Sequence, residues 1–128
     1  MDDATLLTRA REAATRAYAP YSHFRVGAAV RDARGDIYVG VNVESASYGL
    51  TVCAERSAIF AALAQGAQRP FAALAVSCLD AGEGGCSPCG ACRQVIAEHL
   101  ARAAPIVVDG LGVFTSGDLL PHAFQLSV

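Results

Sequence analysis

Apolar residues recur at helical spacing in three parts of the chain. The spacing predicts amphipathic helices over residues 4–19, 53–65 and 89–103. Pro20 follows the first pattern and ends it, because proline cannot continue a helix. Gly66 follows the second pattern and suits the left-handed residue that closes many helices.

Between these helices, shorter apolar runs predict strands. Residues 26–30 and 37–43 flank a turn-like polar segment at 32–36, which indicates an antiparallel hairpin. Residues 71–79 form a continuous apolar run of strand length, as expected for a strand buried on both faces. Residues 106–108 predict a further short strand after the third helix.

The C-terminal part predicts an edge strand at residues 113–115 and a short helix at 116–120, which Pro121 ends. Strands that alternate with helices are typical of a sheet covered on both faces. We therefore predict an α/β fold, a three-layer α/β/α sandwich around a mixed, roughly five-stranded sheet. The 128 residues contain no repeat, linker or composition break, so we expect one domain over residues 1–128.

Composition narrows the class of function. Hydrophobic residues make up 53% of the chain, enough for a full core, and the net charge of −2 argues against a nucleic-acid partner. The N-terminal residues lack the basic segment of a signal peptide. No run approaches the roughly 20 apolar residues that a membrane helix needs. We therefore expect a cytoplasmic protein with no membrane partner.

The cysteines are the candidate metal-binding residues. Three of the five lie within residues 86–92, which suits metal ligands better than a disulfide framework. Cys89 and Cys92, separated by two residues, can bind one metal ion, and Cys53 can supply a third thiolate. Three protein ligands leave a tetrahedral zinc with the open position of a catalytic site. Glu55, two residues after Cys53, can then move protons beside a metal-bound water.

Both cysteine segments fall at predicted helix N-termini, where the partial positive charge of the helix favours thiolates. Three thiolates on one zinc ion would weaken its effect on a bound water, so their charge must be offset. Arg56 and Arg93 each lie within a turn of a ligand. Either could donate a hydrogen bond to sulfur and withdraw charge from it.

Other interpretations of the cysteines remain open at this point. Cys89-x-x-Cys92 alone would fit a structural zinc site equally well. The spacing of Cys86, Cys89 and Cys92 also resembles part of an iron–sulfur run, although it lacks the usual fourth cysteine followed by proline. We interpret Cys86 as a free thiol and Cys78, within an apolar strand, as a core residue.

The combined pattern resembles a known family over nearly the whole chain. His-x-Glu followed by Pro-Cys-x-x-Cys is typical of the zinc deaminases of nucleobases, and Cys53 stands here in place of the histidine, as in the three-cysteine variant of that site. The sequence is similar to the cytidine deaminase family, specifically its small homotetrameric type with three cysteine ligands. The segments that carry the resemblance are Tyr18-Ala19-Pro20-Tyr21-Ser22-His23-Phe24, Val26-Gly27-Ala28-Ala29, Gly40-Val41-Asn42-Val43-Glu44, Cys53-Ala54-Glu55-Arg56, Ser87-Pro88-Cys89-Gly90-Ala91-Cys92-Arg93-Gln94, Leu119-Leu120-Pro121 and Phe124.

The resemblance implies one Zn²⁺ per chain, bound by Cys53, Cys89 and Cys92, with Glu55 as the proton shuttle. The activity it implies is hydrolytic deamination of cytidine and 2′-deoxycytidine to the uridine forms. Water is consumed and ammonia released, in pyrimidine salvage. It also implies a homotetramer.

The resemblance further implies the residues that bind the nucleoside. Asn42 and Glu44 would bind the ribose hydroxyls, Phe24 would pack beside the pyrimidine, and the backbone of Ala54 would hydrogen-bond the base. Phe124 would reach the site of a neighbouring subunit. Read without the resemblance, the two phenylalanines are simply core residues, and Asn42 and Glu44 are the polar end of a strand.

Parts of the sequence depart from the family or stay unassigned. Arg25 follows Phe24 where many members have proline, and the glycine-rich segment 80–87 has no counterpart that we can map. His23 receives no chemical role, and Tyr48 is a weak candidate for subunit contacts. The competing functions are deamination of blasticidin-type nucleosides, deamination within DNA or RNA, and a non-enzymatic zinc or iron–sulfur module.

Overall fold

A computed structural model describes residues 3–82 and 85–127. Within these residues the chain forms four α-helices, five strands and one 3-10 turn at Tyr48–Leu50. Their order and bounds are α1 Asp3–Ala14, β1 Val26–Arg31, β2 Ile37–Val41, α2 Ala54–Ala64, β3 Ala73–Cys78, α3 Gly90–His99, β4 Ile106–Val108, β5 Gly112–Phe114 and α4 Ser116–Leu119. None of these helices is long and apolar enough to cross a membrane.

The five strands form one mixed sheet in the order β2-β1-β3-β4-β5. The β1–β2 hairpin is antiparallel, as predicted, and β1 also pairs antiparallel with β3. β3 and β4 are parallel, joined by a crossover through α3, and β5 returns antiparallel to β4. Strand β3 therefore lies at the centre of the sheet, which explains its continuous apolar run.

Side chains that alternate along the strands build two cores. On one face, Leu6 and Ala10 of α1 pack against small residues of β1 and β3, including Ala29 and Ala75. On the other face, α2 and α3 cover a larger core. Its members are Ala28, Val30, Leu74, Val76, Ile106 and Val108 from the strands, and Ala58, Ile59, Ala62 and Ile96 from the helices. Helices on both faces confirm the predicted three-layer sandwich.

Two glycines let helices approach the sheet closely. A Cβ atom at Gly27 in β1 would lie 2.1 Å from the carbonyl oxygen of Ala10 in α1. At Gly40 in β2 it would lie 2.2 Å from the backbone nitrogen of Ala58 in α2. Real Cβ atoms do not come this near, so α2, which carries the candidate catalytic residues, rests directly on the backbone of β2.

The prediction that the first helix runs to residue 19 is wrong. The helix ends at Ala14, because the following segment pairs with the chain that leaves β2. The N–H of Tyr18 donates to the carbonyl of Asn42 at 3.0 Å, and the N–H of Glu44 donates to the carbonyl of Tyr18 at 2.9 Å. If the helix continued through Tyr18, this pairing could not form. The pairing places residues 18–24 near the candidate site.

Similar long-range pairing shortens two other predicted elements. The strand predicted at 71–79 spans Ala73–Cys78, and the helix predicted at 89–103 ends at His99. Phe71 donates its N–H to the carbonyl of His99 at 2.8 Å and accepts from Ala101 at 3.0 Å. The strand predicted at 37–43 likewise stops at Val41, and the edge strand predicted at 113–115 is displaced by one residue.

Candidate active site

The three candidate zinc ligands meet at the N-termini of α2 and α3. Cys53 and Cys89 are the N-cap residues of these helices, with extended backbone angles, and neither side chain makes a capping hydrogen bond. Cys92 is buried in the first turn of α3. The three sulfur atoms lie within 4.8 Å of one another, and the Cys53 and Cys89 sulfurs are 3.8 Å apart.

The spacing and chemistry of these thiols fit a zinc ion. Zinc binds cysteine sulfur at about 2.3 Å in tetrahedral geometry, which places two ligand sulfurs about 3.8 Å apart. The separation of the Cys53 and Cys89 sulfurs agrees with that value. A hydrogen bond with Cys92 lowers the pKa of Cys53 to about 5 and raises the pKa of Cys92. Among the described residues no fourth ligand side chain joins these three soft sulfur donors, which suits a metal with one open position.

Of the two arginines predicted to contact sulfur, only Arg56 does so. Its Nη2 donates to the Cys53 sulfur at 3.4 Å, and this bond raises the pKa of the guanidinium. Arg93 instead donates to the carbonyls of Pro88 and Leu119 at 2.7 and 2.9 Å and to the Ser87 hydroxyl at 2.8 Å. Arg93 therefore fixes the backbone around the cysteine loop.

Glu55 is a carboxyl group held in an apolar setting beside the thiols. It lies in the first turn of α2, two residues after Cys53, and is only 5% exposed. Burial raises the pKa of Glu55 to about 7, because the charged form loses its hydration. No hydrogen bond to another side chain fixes the carboxyl among the described residues, so it is available to a ligand.

A cavity of about 200 Å³ opens beside Glu55 and the thiols. Six of the predicted site residues line it: Phe24, Asn42, Cys53, Ala54, Glu55 and Cys89. Four further lining residues were not predicted, namely Val26, Thr51, Cys86 and Ser87. The alternation of β1 could have indicated Val26, but no sequence signal marks the other three as cavity residues.

Asn42 and Glu44 hold the cavity wall that contains Phe24. The Asn42 side chain accepts from the N–H of Val26 at 2.9 Å and donates to the carbonyl of Phe24 at 2.8 Å. Glu44 lines the adjoining depression, which meets the cavity at Thr51. The Glu44 carboxylate accepts from the backbone N–H groups of residues 21 and 22 and from the Ser22 hydroxyl, and these bonds lower its pKa.

Phe124 is exposed rather than a residue of the core, and Cys86 lies at the cavity, where no role was predicted for it. Phe124 does not line the cavity of its own chain. Its side chain is 69% exposed, and its backbone exchanges hydrogen bonds with the Gln94 side chain. Cys86 is a free thiol, as predicted, but it lines the cavity and packs against the core. Burial raises the pKa of Cys86 to about 12, which keeps it neutral.

Comparison with known proteins identifies the class to which this fold and site belong. Residues 1–108 match the family described as the cytidine and deoxycytidylate deaminase zinc-binding region. The chain belongs to this family of zinc-dependent deaminases.

Relatives support the same assignment over almost the full length of the chain. A cytidine deaminase of Sporosarcina psychrophila is 45% identical over 98% of this chain and 93% of its own. One from Halalkalibacterium halodurans is 42% identical over 97% of this chain and 95% of its own. The fold matches a crystal structure of cytidine deaminase from Burkholderia pseudomallei with a TM-score of 0.89 and 48% identity. That match covers 97% of this chain and all of the other.

Proposed function

We propose that this chain is a cytidine deaminase that converts cytidine and 2′-deoxycytidine into uridine and 2′-deoxyuridine. The observation that carries the proposal is a buried carboxyl, Glu55, that shares one small cavity with clustered thiols. Relatives named as cytidine deaminases, similar over nearly their whole length, support the choice of substrate.

Cys53, Cys89 and Cys92 are the residues that would bind the zinc ion. When bound, the ion supplies a Lewis acid that makes water a nucleophile at neutral pH. Arg56 donates to the Cys53 sulfur and so withdraws negative charge from the thiolate cluster. The side chains of Cys53 and Cys89 make no capping hydrogen bonds, and their sulfur atoms lie 3.8 Å apart.

Glu55 is the group that moves protons. It takes a proton from the attacking water as the oxygen bonds to the ring carbon that carries the amino group. One water proton ends on the departing ammonia and the other on the ring nitrogen. The apolar surroundings of Glu55 support this role, because a buried carboxyl exchanges protons with a bound substrate rather than with bulk water.

The cavity provides groups for each part of a nucleoside. Phe24 and Val26 give an apolar wall for the pyrimidine ring, and Ala54, whose backbone would hydrogen-bond the base, also lines the cavity. Asn42 and Glu44 adjoin the region towards Thr51, where the ribose would lie. Each retains hydrogen-bonding capacity beyond its observed bonds, since an amide has two donors and a carboxylate about four acceptor positions.

The charge around the site favours a nucleoside over a nucleotide. No lysine, arginine or histidine side chain lines the cavity or the adjoining depression among the described residues. Phosphate recognition ordinarily uses such cations. The nearby Glu44 carboxylate would repel a 5′-phosphate. These features support cytidine rather than cytidine 5′-monophosphate as substrate.

We extend the proposal to assembly and location. Large apolar side chains stay exposed at Tyr48, Leu50, Phe60, Phe124 and Leu126, as expected where subunits meet. They support a homotetramer in which Phe124 reaches a neighbour's cavity. All five cysteines are free of disulfide bonds, which suits the reducing cytoplasm and a role in pyrimidine salvage. The whole chain, residues 1–128, would act as one domain.

A substrate panel tests the proposed function. The purified zinc-loaded protein is incubated with cytidine, 2′-deoxycytidine, cytosine, cytidine 5′-monophosphate and blasticidin S, and ammonia release is measured. We expect turnover of the first two and at least tenfold lower kcat/KM for the nucleotide. Preferential turnover of blasticidin S or of the nucleotide would contradict the proposal.

A further inference from the structure

The cavity wall at residues 24–26 is held by three side chains from two separate parts of the chain. The backbone N–H groups of residues 21 and 22 donate to Glu44, that of residue 25 donates to Asp80, and that of residue 26 donates to Asn42. Asn42 and Glu44 already have a place in the proposed site. Asp80 has none, since it lies outside the cavity and follows the central strand β3.

Asp80 holds Arg25 by both its backbone and its side chain. One carboxylate oxygen accepts from the Arg25 backbone N–H at 2.8 Å and from Nε at 3.0 Å, and the other accepts from Nη2 at 2.9 Å. The adjacent N–H of Leu79 donates to the Arg25 carbonyl at 3.0 Å. The side-chain bond with Arg25 lowers the pKa of Asp80 to about 2, so the contact persists at neutral pH.

These contacts of Arg25 connect the cavity wall to the end of the central strand. Arg25 stands between Phe24 and Val26, which both line the cavity. Its N–H donates to the Asp80 carboxylate and its carbonyl accepts from the N–H of Leu79. Both peptide groups of Arg25 are thus tied to the two residues that directly follow β3.

We propose that Asp80 is a positioning residue for the substrate, which acts through Arg25 to hold the Phe24 wall in place against the end of β3. The inference rests on the proposed function. Asp80 touches neither Glu55 nor the thiols, so its loss alters how the nucleoside is held rather than the chemical step. An interaction of that kind changes KM and leaves kcat nearly constant.

A second ion pair, between Arg11 and Asp109, serves as a control for the ion pair between Arg25 and Asp80. It distinguishes a positioning role of Asp80 from a general effect of losing a surface ion pair. Arg11 donates to both oxygens of Asp109, each at 2.8 Å, in the same bidentate geometry. Both arginines are about half exposed, with side-chain accessibilities of 53% for Arg11 and 47% for Arg25. Arg11 lies on α1, which covers the opposite face of the sheet from α2, and neither Arg11 nor Asp109 lines the cavity.

The test compares steady-state deamination of cytidine by the native protein and by the D80A, D80N, R25A and R11A variants, with zinc measured in each. We expect D80A to raise KM about fivefold, with kcat within about twofold and native zinc content. R25A should have a smaller effect, because the bond from its backbone N–H remains. D80N keeps one acceptor for that N–H, so its KM should fall between those of native protein and D80A. R11A should match the native protein.

Limited trypsin digestion gives a readout that does not depend on activity. Cleavage after Arg25 requires the backbone held by Asp80 to open locally, so D80A should be cut there at least fivefold faster, and R11A should not.

A native KM in D80A, or in D80N should D80A fail to fold, would overturn the proposal. So would an equal KM increase in R11A. If native protein fails to deaminate cytidine, the proposed function is wrong. The rate of trypsin cleavage after Arg25 then shows independently whether Asp80 keeps the Phe24 wall in place.

Discussion

At the residue scale, Arg56 and Arg93 show how far spacing alone can identify a role. Both follow a cysteine by one to three positions in a helix, so the sequence made them equal candidates for a contact with sulfur. Arg56 contacts Cys53, whereas Arg93 ties together the loop before α3 and the carbonyl of Leu119. The difference depends on which groups the tertiary structure brings within reach, and sequence periodicity does not contain that information.

The Arg56 contact predicts a specific kinetic defect. Arg56→Ala should lower kcat about 10- to 100-fold while the protein keeps most of its zinc, because the thiolates lose the donor that withdraws their charge. The measurement is steady-state deamination with zinc quantified on the same preparation. Arg9→Ala, an exposed change on α1, serves as the control. Native turnover in Arg56→Ala would remove Arg56 from the mechanism.

At the element scale, predictions were best where local sequence and tertiary structure favour the same conformation. Cysteines at the N-termini of α2 and α3 were predicted and are confirmed. The end of α1 was wrong, because Tyr18 pairs with residues beyond β2, and a helical pattern carries no sign of that pairing. Helix starts depend on a few neighbouring residues, whereas these ends depend on distant ones.

The contact of α2 with β2 predicts that Gly40 cannot accept a side chain. Gly40→Ala places a methyl group against the backbone of Ala58 and should lower the free energy of unfolding by about 2 kcal/mol or more. Urea unfolding measures this change. Gly90→Ala is the matched control, because a Cβ atom there meets nothing within 4 Å. Equal stability of the two variants would contradict the close packing of α2 on the sheet.

The β1–β2 turn predicts a pH-dependent contribution to stability. The buried Asp32 carboxylate accepts from the N–H groups of Gln68, Asp36 and Arg34, which lower its pKa with Gln68 as the largest cause. A depressed folded-state pKa stabilises the fold above the unfolded value of about 4. The stabilisation is lost as pH falls through the folded value.

Asp32→Asn should therefore lower the thermal midpoint at pH 7, and the difference from native protein should shrink as the pH falls below about 4. Thermal unfolding between pH 7 and pH 2 measures both effects. Asp36→Asn makes the same charge change at an exposed position of the same turn. A constant difference across this pH range would show that the Asp32 charge does not support the turn.

At the scale of the whole molecule, the site draws on segments far apart in sequence. The cavity joins residue 24, residues 42–55 and residues 86–89, and the sequence identified most of these through motifs. It did not predict that Asn42 and Glu44 also hold the Phe24 wall, nor that Asp80 reaches Arg25 across 55 positions. Such contacts follow from the order of the strands, which places β1 between β2 and β3.

The proposed tetramer predicts that two inactive variants regain deaminase activity when they assemble together. Phe124 lies away from its own cavity, and Glu55 lies within it, so a shared site would need Glu55 from one subunit and Phe124 from another. Glu55→Gln and Phe124→Ala proteins, mixed equally, dissociated and reassembled, should regain about a quarter of native sites. Activity no higher than the average of the two separate variants would place Phe124 outside the neighbour's site.

The central claim is that Glu55 and the three-cysteine zinc site deaminate cytidine together. It is tested most directly by following cytidine absorbance and ammonia release with native protein and with Glu55→Gln, zinc being quantified in both. We expect one zinc per chain in each protein and turnover by native protein. Loss of proton transfer should lower the kcat of Glu55→Gln by about 10²- to 10⁴-fold. Near-native turnover by Glu55→Gln, or active native protein without zinc, would contradict the account.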